Sequence, residues 1–376
     1  MPRHYLDHAS TSPLRPAARD ALVAALDTGG GDPGRIHEEG MASRVAVEQA
    51  REQLAALVGA RPREVVFTSG ATEAIAAVAW GAAGRGGHQV LTAVEHSAVP
   101  AAAGRHGAVT VVGVDGQGRV DPDAVAAAVR PDTSVVHVQW GNHEVGTTQP
   151  LAEVIDRVHE RDALVHVDAA QAVGRVPVDF AALGADLLSL SGHKWGAPTG
   201  TGALLVRRGL RLDPLLVGSD QERARRAGME AVPALVGLGA AAASLLDGAL
   251  DAEAQDARRL TERVLAGVAD LDVRVHGDPV DRLPHLVCLG FDDVEPQAVL
   301  LGLDRAGVAV HSGSACSSES LEPSPTLAAM GVDALRSLRV SVGWTTTDAD
   351  VDALLAALPQ VLGGLRALRR RPPPGG

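Results

Sequence analysis

The sequence predicts an α/β protein: a mostly parallel sheet covered by helices, with a smaller α+β lobe appended. Three observations carry this. Seven short apolar runs follow one another between residues 64 and 206, several of them are separated by stretches of helical length and period, and after Gly209 the pattern changes to a polar loop and a long Ala/Leu-rich region. Strands that alternate with helix-length segments build parallel sheets buried on both faces. A chain of 376 residues has room for that sheet and a second lobe.

Taken in order, Tyr5-Leu6-Asp7-His8-Ala9-Ser10-Thr11-Ser12-Pro13 begins strand-like and breaks into small hydroxyl residues, which reads as an N-terminal turn. From Ser43, Val47, Ala50, Leu54, Leu57 and Val58 recur at three- and four-residue steps and predict an amphipathic helix ending near Gly59, with Glu48, Gln49, Arg51 and Glu52 on its other face. The runs 64–68, 89–92, 108–114, 134–138, 163–167, 186–190 and 202–206 are the seven expected strands. A polar loop at 218–223 leads to one long helical region from Pro233 to about Asp270. Residues 273–275, 286–290 and 308–310 read as strands of the second lobe, and 348–362 as a helix. The expected division is a large domain over 15–245, a small one over 1–14 and 246–365, and a disordered tail over 366–376.

A formal net charge of -12 argues against direct binding of nucleic acid or of an anionic membrane surface, which proteins grip with excess Lys and Arg. The two cysteines, Cys288 and Cys316, make no disulfide framework. The N-terminal residues lack the basic start and apolar run of a signal peptide, and no apolar stretch approaches the ~20 residues that span a bilayer. The expectation is a cytoplasmic protein.

Ligands of open parallel sheets sit at the carboxyl ends of the strands. Four segments there carry chemistry. In Thr68-Ser69-Gly70-Ala71-Thr72-Glu73-Ala74 a strand runs into a helix, where the N–H groups around Gly70, Ala71 and Thr72 can cradle a phosphate, or where Ser69 or Thr72 is only an N-cap. His96, in Val94-Glu95-His96-Ser97, can lay its ring on a planar cofactor or be a capped loop residue. Asp168 closes the apolar strand Val165-His166-Val167-Asp168, where a carboxylate needs a cationic partner such as a protonated pyridine nitrogen, unless it is a helix N-cap. Lys194, in Ser191-Gly192-His193-Lys194-Trp195, can be a solvated loop lysine. Held against apolar walls that favour its neutral form, it can instead carry pyridoxal 5'-phosphate as a Schiff base. Together, at successive ends of one sheet, these segments favour the cofactor reading, and the 26 positions from Asp168 to Lys194 leave room for a helix and a return strand.

Cys316 lies among small polar residues, Gly313-Ser314-Ala315-Cys316-Ser317-Ser318, as an exposed thiol that could attack as thiolate, whereas Cys288 sits in the apolar run Leu286-Val287-Cys288-Leu289 as a core thiol.

On Phe67-Thr68-Ser69-Gly70-Ala71-Thr72-Glu73, His166-Val167-Asp168-Ala169-Ala170-Gln171, Ser191-Gly192-His193-Lys194 and Ser312-Gly313-Ser314-Ala315-Cys316, the chain resembles the pyridoxal phosphate-dependent cysteine desulfurases of the class V aminotransferase group, fold type I. The resemblance runs from Tyr5 to Gly343. It implies Ala71, Thr72, Ser191 and His193 at the phosphate, His96 over the ring, Asp168 at the pyridine nitrogen, and Gln171 with His143 at the phenolic oxygen. It further implies Lys194 as anchor and proton shuttle, Arg339 at the substrate carboxylate with Asn142 beside it, and Cys316 as the residue that takes sulfur from L-cysteine as a persulfide and passes it to an acceptor protein. Uses of that sulfur in the family include iron–sulfur cluster assembly, tRNA thiolation and other thio-cofactors or thio-products, and a homodimer with shared active sites is implied.

Three places depart from the family pattern. Paired asparagines before Glu144 become Asn142-His143, Arg-Ser-Gly-Thr becomes Arg226-Ala227-Gly228-Met229, and Asn-Pro-Ser-Ser becomes Asp32-Pro33-Gly34. Met229 cannot supply the hydroxyl that reaches the partner's phosphate. The other expectations weighed are a selenocysteine lyase or another class V lyase or transaminase, and a degenerate scaffold of the same fold that binds without turnover.

Overall fold

The computed structural model describes residues 3–28, 30–312 and 323–369. The chain opens with a two-residue strand β1 (His4–Tyr5), then helices α1 (Pro16–Asp27) and α2 (Glu38–Leu57). The large sheet is built from β2 (Val65–Thr68), β3 (His88–Thr92), β4 (Ala108–Val112), β5 (Thr133–Gln139), β6 (Leu164–Asp168), β7 (Leu187–Ser191) and β8 (Gly202–Val206). Between its strands lie α3 (Ala71–Ala83), α4 (Ala98–Ala103), α5 (Pro122–Ala128), α6 (Leu151–His159) and α7 (Phe180–Leu183).

The seven expected strands fall in this one sheet, in the order β2-β8-β7-β6-β5-β3-β4. Strands β3 to β7 pair in parallel, and β8 runs antiparallel to both β7 and β2, so β2 points the same way as the parallel set. Six strands therefore end at one edge, and β8 begins there. All strands but the edge strand β4 are buried along their whole length, which is why they read as continuous apolar runs and not as alternating ones. One core, with Leu54, Val138, Val165, Leu190, Trp195 and Leu238, fills one face; another, with Val66, Ala74, Val78, Leu187 and Leu204, lies under α3 on the other.

A one-turn segment α8 (Gln221–Ala224) follows, with Glu222 and Arg223 at positive φ (47° and 60°). The Glu222 carboxylate is held inside by Arg51, at 2.7 Å with both side chains 2% exposed. The single helical region expected from 233 to 270 is two helices, α9 (Val232–Ala243) and α10 (Ala249–Val268), because Asp247 and Gly248 turn left-handed (φ 55° and 87°) and break the i→i−4 ladder.

The small lobe contains β9 (Arg274–His276), β10 (Leu286–Gly290), α11 (Pro296–Arg305), β11 (Val308–Ala309), β12 (His311–Ser312), α12 (Pro325–Ala329), β13 (Ser337–Ser341) and α13 (Asp348–Arg369). Its antiparallel sheet has the order β12-β13-β10-β9, and β11 pairs instead with β1, tying the N-terminus to this lobe. Its core takes Leu6 and residues from Ala257 onward, whereas the large core runs from Ala18 to Leu250. On this separation we propose a large domain over 15–245 and a small one over 1–14 and 246–369, with Leu250 at the start of α10 packing back onto the large core.

Two expectations are corrected. Helix α13 continues to Arg369, so residues 366–369 are not tail: Arg366 is ion-paired with Asp293 at 2.8 Å. At 22 residues α13 is also long and apolar enough to cross a membrane by length and composition, contrary to the expectation that no stretch reaches that size. Its Val351, Leu354, Leu358 and Leu362 are buried in the small-lobe core. Residues 370–376 and Cys316 lie outside the described residues.

The sheet edge is close-packed where β2 meets β8. A Cβ on Gly202 would lie 2.6 Å from both the Cα of Gly70 and the carbonyl oxygen of Leu190, which are backbone atoms with little room to yield. Gly202→Ala is expected to destabilise the fold by about 1–3 kcal/mol, read as a lower midpoint in urea with an unchanged slope.

Candidate active site

The common strand edge opens into a cavity of about 550 Å³. Ala71, Thr72, His96, His143, Asp168, Gln171, Ser191, His193, Lys194 and Arg339 all line it. Asn142 does not.

Helix α3 starts at this edge with Gly70 as its N-cap, at φ 152°, and no side chain caps it. A helix N-terminus left without a side-chain cap offers backbone N–H donors and a positive dipole end. Ser191 is buried beside it: a Cβ on Gly70 would stand 3.5 Å from Ser191 Oγ. His193 follows in the 3₁₀ turn after β7, with Nδ1 3.3 Å from Thr11 Oγ1. Burial, helped by the Lys194 charge, pushes its pKa down to about 4, so near pH 7 it is a neutral ring. The α3 N-terminus, a hydroxyl and a neutral imidazole form a donor set for a phosphate.

Asp168 is buried at the end of β6. Its Oδ1 accepts from Ala170 N–H at 3.0 Å and from Ser189 Oγ at 3.2 Å, both neutral groups, and burial raises its pKa. A carboxylate in such a place gains from a cation brought in by a ligand. His96 stands over the same cavity with Nδ1 accepting from Ala98 N–H, so its proton near neutral pH is on Nε2. Burial lowers its pKa, and its ring meets that of His143 edge to face at 5.4 Å. His143 is itself held well below the ordinary histidine range by burial. Gln171 Nε2 donates to Ala9 O at 2.8 Å, and its Oε1 is 3.1 Å from His285 Nε2.

Lys194 has no carboxylate partner among the described residues. Its Nζ donates to two backbone oxygens, Ala9 O at 2.8 Å and Ser10 O at 2.9 Å. Burial, followed by the charge of Arg339, lowers its pKa to about 8. Arg339, on β13, reaches the cavity from the small lobe with 2% of its side chain exposed and an ion pair to Asp7 at 3.0 Å. These residues fit pyridoxal phosphate: an uncapped helix N-terminus with Ser191 and His193 as donors, a buried acid with no cationic partner among the described residues, and a depressed amine all line one cavity.

The structure also shows what sequence reasoning missed. Asn142 uses its carboxamide on the backbone: Nδ2 donates to Val94 O, and Oδ1 accepts from Glu144 and Val145 N–H at 2.8 Å. It pins the loop that presents His143 instead of facing the cavity. Ser10, Gln139 and Thr199 line the cavity unforeseen, and Gln139 Nε2 is buried without a partner. The hydroxyl-rich break after Tyr5-Leu6-Asp7 was the signal for Ser10; Gln139 is a polar residue closing an otherwise apolar strand, as Asp168 is.

Known proteins resemble this chain over nearly its whole length. The family described as Aminotransferase class-V matches residues 4–354. A cysteine desulfurase of Trichormus azollae is 41% identical over 377 residues, covering 97% of this chain and 94% of its own. Among solved structures, a NifS-like protein superposes with a TM-score of 0.90 at 29% identity over 96% of this chain and all of its own. The structure titled "SspA in complex with cysteine" gives 0.80 at 27% identity over 92% of this chain and 100% of its own.

The amine chemistry can be checked directly. A pKa of about 8 leaves roughly a quarter of Lys194 neutral at pH 7.5, against about one in a thousand for an ordinary lysine. Because only the neutral amine attacks an aldehyde, borohydride-trapped labelling of the apoprotein by pyridoxal phosphate should rise with pH, level off above about 8, and map to Lys194. A rate still climbing steeply at pH 10 would contradict the assignment.

Proposed function

The chain belongs to the class-V aminotransferase family, and from that premise we propose that it is a pyridoxal phosphate-dependent cysteine desulfurase. Its fold is the fold-type I architecture of its structural neighbours. The observation that carries the reading is the convergence of Lys194, Asp168, His96, His193 and Arg339 on one cavity at the strand edge. L-cysteine as substrate is supported by the desulfurase relative and by the cysteine-bound neighbour.

When bound, the cofactor supplies an electron sink that lets bonds to the substrate's carbons break with their electron pairs left behind. Lys194 would be its covalent anchor and then the base that removes and returns the substrate's α-proton, a role suited to an amine titrating near 8. With the cofactor bound, Asp168 would keep a proton on the ring nitrogen, His96 would cover the ring, and His143 and Gln171 would serve the phenolic oxygen. The α3 N-terminus, Ser191 and His193 hold the phosphate. Arg339 binds the α-carboxylate with a planar fork.

Cys316 completes the reaction. Its thiolate attacks the substrate sulfur, an S–S bond forms as the C–S bond breaks, the carbon keeps the electron pair and takes a proton, and alanine leaves while the persulfide stays on Cys316. An acceptor protein then removes the sulfur. A reducing, cytoplasmic setting suits a thiol nucleophile and the buried unpaired Cys288. A homodimer suits the exposed Ile36, Met41, Val45, Val217 and Met229, which sit on or near α2 and the 217–229 loop that Arg51 and Arg223 tie to it.

The test is turnover. Holoenzyme given L-cysteine and a reductant should release alanine and sulfide in equal amounts. Lys194→Ala should lower the rate by at least ~100-fold, and Cys316→Ala should abolish the protein-bound persulfide. Absence of a bound-cofactor absorbance band together with absence of alanine would refute the enzyme reading, and alanine release unaffected by Cys316→Ala would refute the persulfide step.

A further inference from the structure

Arg339 is nearly spent in the free protein. Of its five N–H groups, one on Nη1 donates to His143 O at 2.7 Å, and the two on Nη2 go to Asp7 Oδ1 at 3.0 Å and Ser10 Oγ at 2.7 Å. The Nε–H is buried without a partner, which leaves one N–H on Nη1. Ser10 Oγ in turn donates to Asp7 Oδ1 at 2.9 Å, closing a triangle around Nη2. Asp7 is the one carboxylate ion-paired with this guanidinium among the described residues, and with side-chain exposures of 16% and 2% the pair is little screened by water.

We propose that Asp7 is the resident counter-ion of Arg339 and competes with the substrate's α-carboxylate for the guanidinium charge, so that it sets how weakly the free site holds amino acids. The inference rests on the reading of Arg339 as the carboxylate-binding residue.

The competition follows from placement. Ser10 lines the cavity and Asp7 does not, so a carboxylate arriving through the cavity reaches the guanidinium from the Ser10 side while Asp7 stays behind it. Two N–H groups can serve the newcomer: the one left on Nη1, and the one freed when the Ser10 hydroxyl rotates away. Asp7 remains against Nη2, anchored through its own backbone, which bridges to Ser341 and accepts from Tyr5 OH at 3.1 Å. The bound complex therefore holds two carboxylates on one cation, whereas the free protein holds a matched pair. A buried arginine without a counter-ion is costly. Asp7 removes that cost from the empty site and weakens the site for its substrate.

The signature is a split between stability and affinity. In Asp7→Asn the holoenzyme should melt at lower temperature without ligand, yet bind L-alanine, followed by the change in cofactor absorbance, roughly tenfold more tightly. The KM for L-cysteine should fall by more than kcat changes. Asp7→Glu, which keeps the charge, should return both properties toward the wild type. If Asp7 merely props Arg339 in place, Asp7→Asn loses stability and affinity together, and the proposal is overturned. It is equally overturned by an unchanged alanine affinity in Asp7→Asn. Should Asp7→Asn fail to fold, Ser10→Ala replaces it: removing the hydroxyl that occupies Nη2 should tighten alanine binding, and weaker binding counts against the idea. A wild-type holoenzyme that neither binds alanine nor desulfurates cysteine overturns the desulfurase reading itself, a result distinct from an active enzyme in which Asp7 has no effect.

Discussion

The Lys194 amine is held by two backbone carbonyls and, among the described residues, by no carboxylate, and the rest of the site depends on that choice. Carbonyl dipoles satisfy the N–H donors without supplying a full counter-charge, so the cost of burial falls on the protonated form. Those carbonyls belong to Ala9 and Ser10, and the same short segment binds nearly everything around the cavity. Ala9 O also accepts from Gln171, Thr11 meets His193, Ser12 accepts from Arg175, and Asp7 with Ser10 engages Arg339. The segment is fixed in turn by β1 pairing with β11 and by Ala9 N–H donating to Ser341 Oγ. A stretch of six residues, 7–12, thus ties the large-sheet edge, the small lobe and the Lys194 amine together.

Charge in the cavity is arranged by position. Donors collect at the α3 N-terminus, the acid Asp168 comes from the end of β6, and the cationic Arg339 comes from β13 of the small lobe. The histidines between are kept neutral by burial, so they contribute hydrogen bonds and ring surface without adding to the positive charge. Glu95 is pushed up to about 8 by burial, with the nearby Asp168 adding to the shift, so near neutral pH its protonated form is favoured. Two ionised carboxylates there would repel each other, and the protonated Glu95 avoids that while its Oε1 still accepts from Thr92 Oγ1 and Gln139 N–H.

Much of this was legible in the chain. Strands buried on both faces leave uninterrupted apolar runs, so β2 to β8 could be placed within about two residues. A polar residue that closes such a run stands out against it, which is how Asp168 and Lys194 were found. Where that contrast is absent the reading failed. Asn142 lies in a polar loop, where a carboxamide facing a ligand and one capping a turn look alike. The break at Asp247-Gly248 was hidden in an Ala/Leu-rich stretch whose helical period resumes beyond it.

By itself the sequence determined the local chemistry: which segments are strands, and which polar residues end them, because apolar periodicity and composition are properties of neighbours along the chain. Only the tertiary structure decided what meets across long gaps: that β8 alone reverses in the large sheet, that Arg339 crosses from β13 to a cavity at the ends of β2, β3, β5, β6 and β7, and that Asp7 is its partner 332 positions away. The reason is physical. A guanidinium's partner is settled by which carboxylate packing leaves within hydrogen-bond reach of it once water is excluded, and packing is a property of the whole fold.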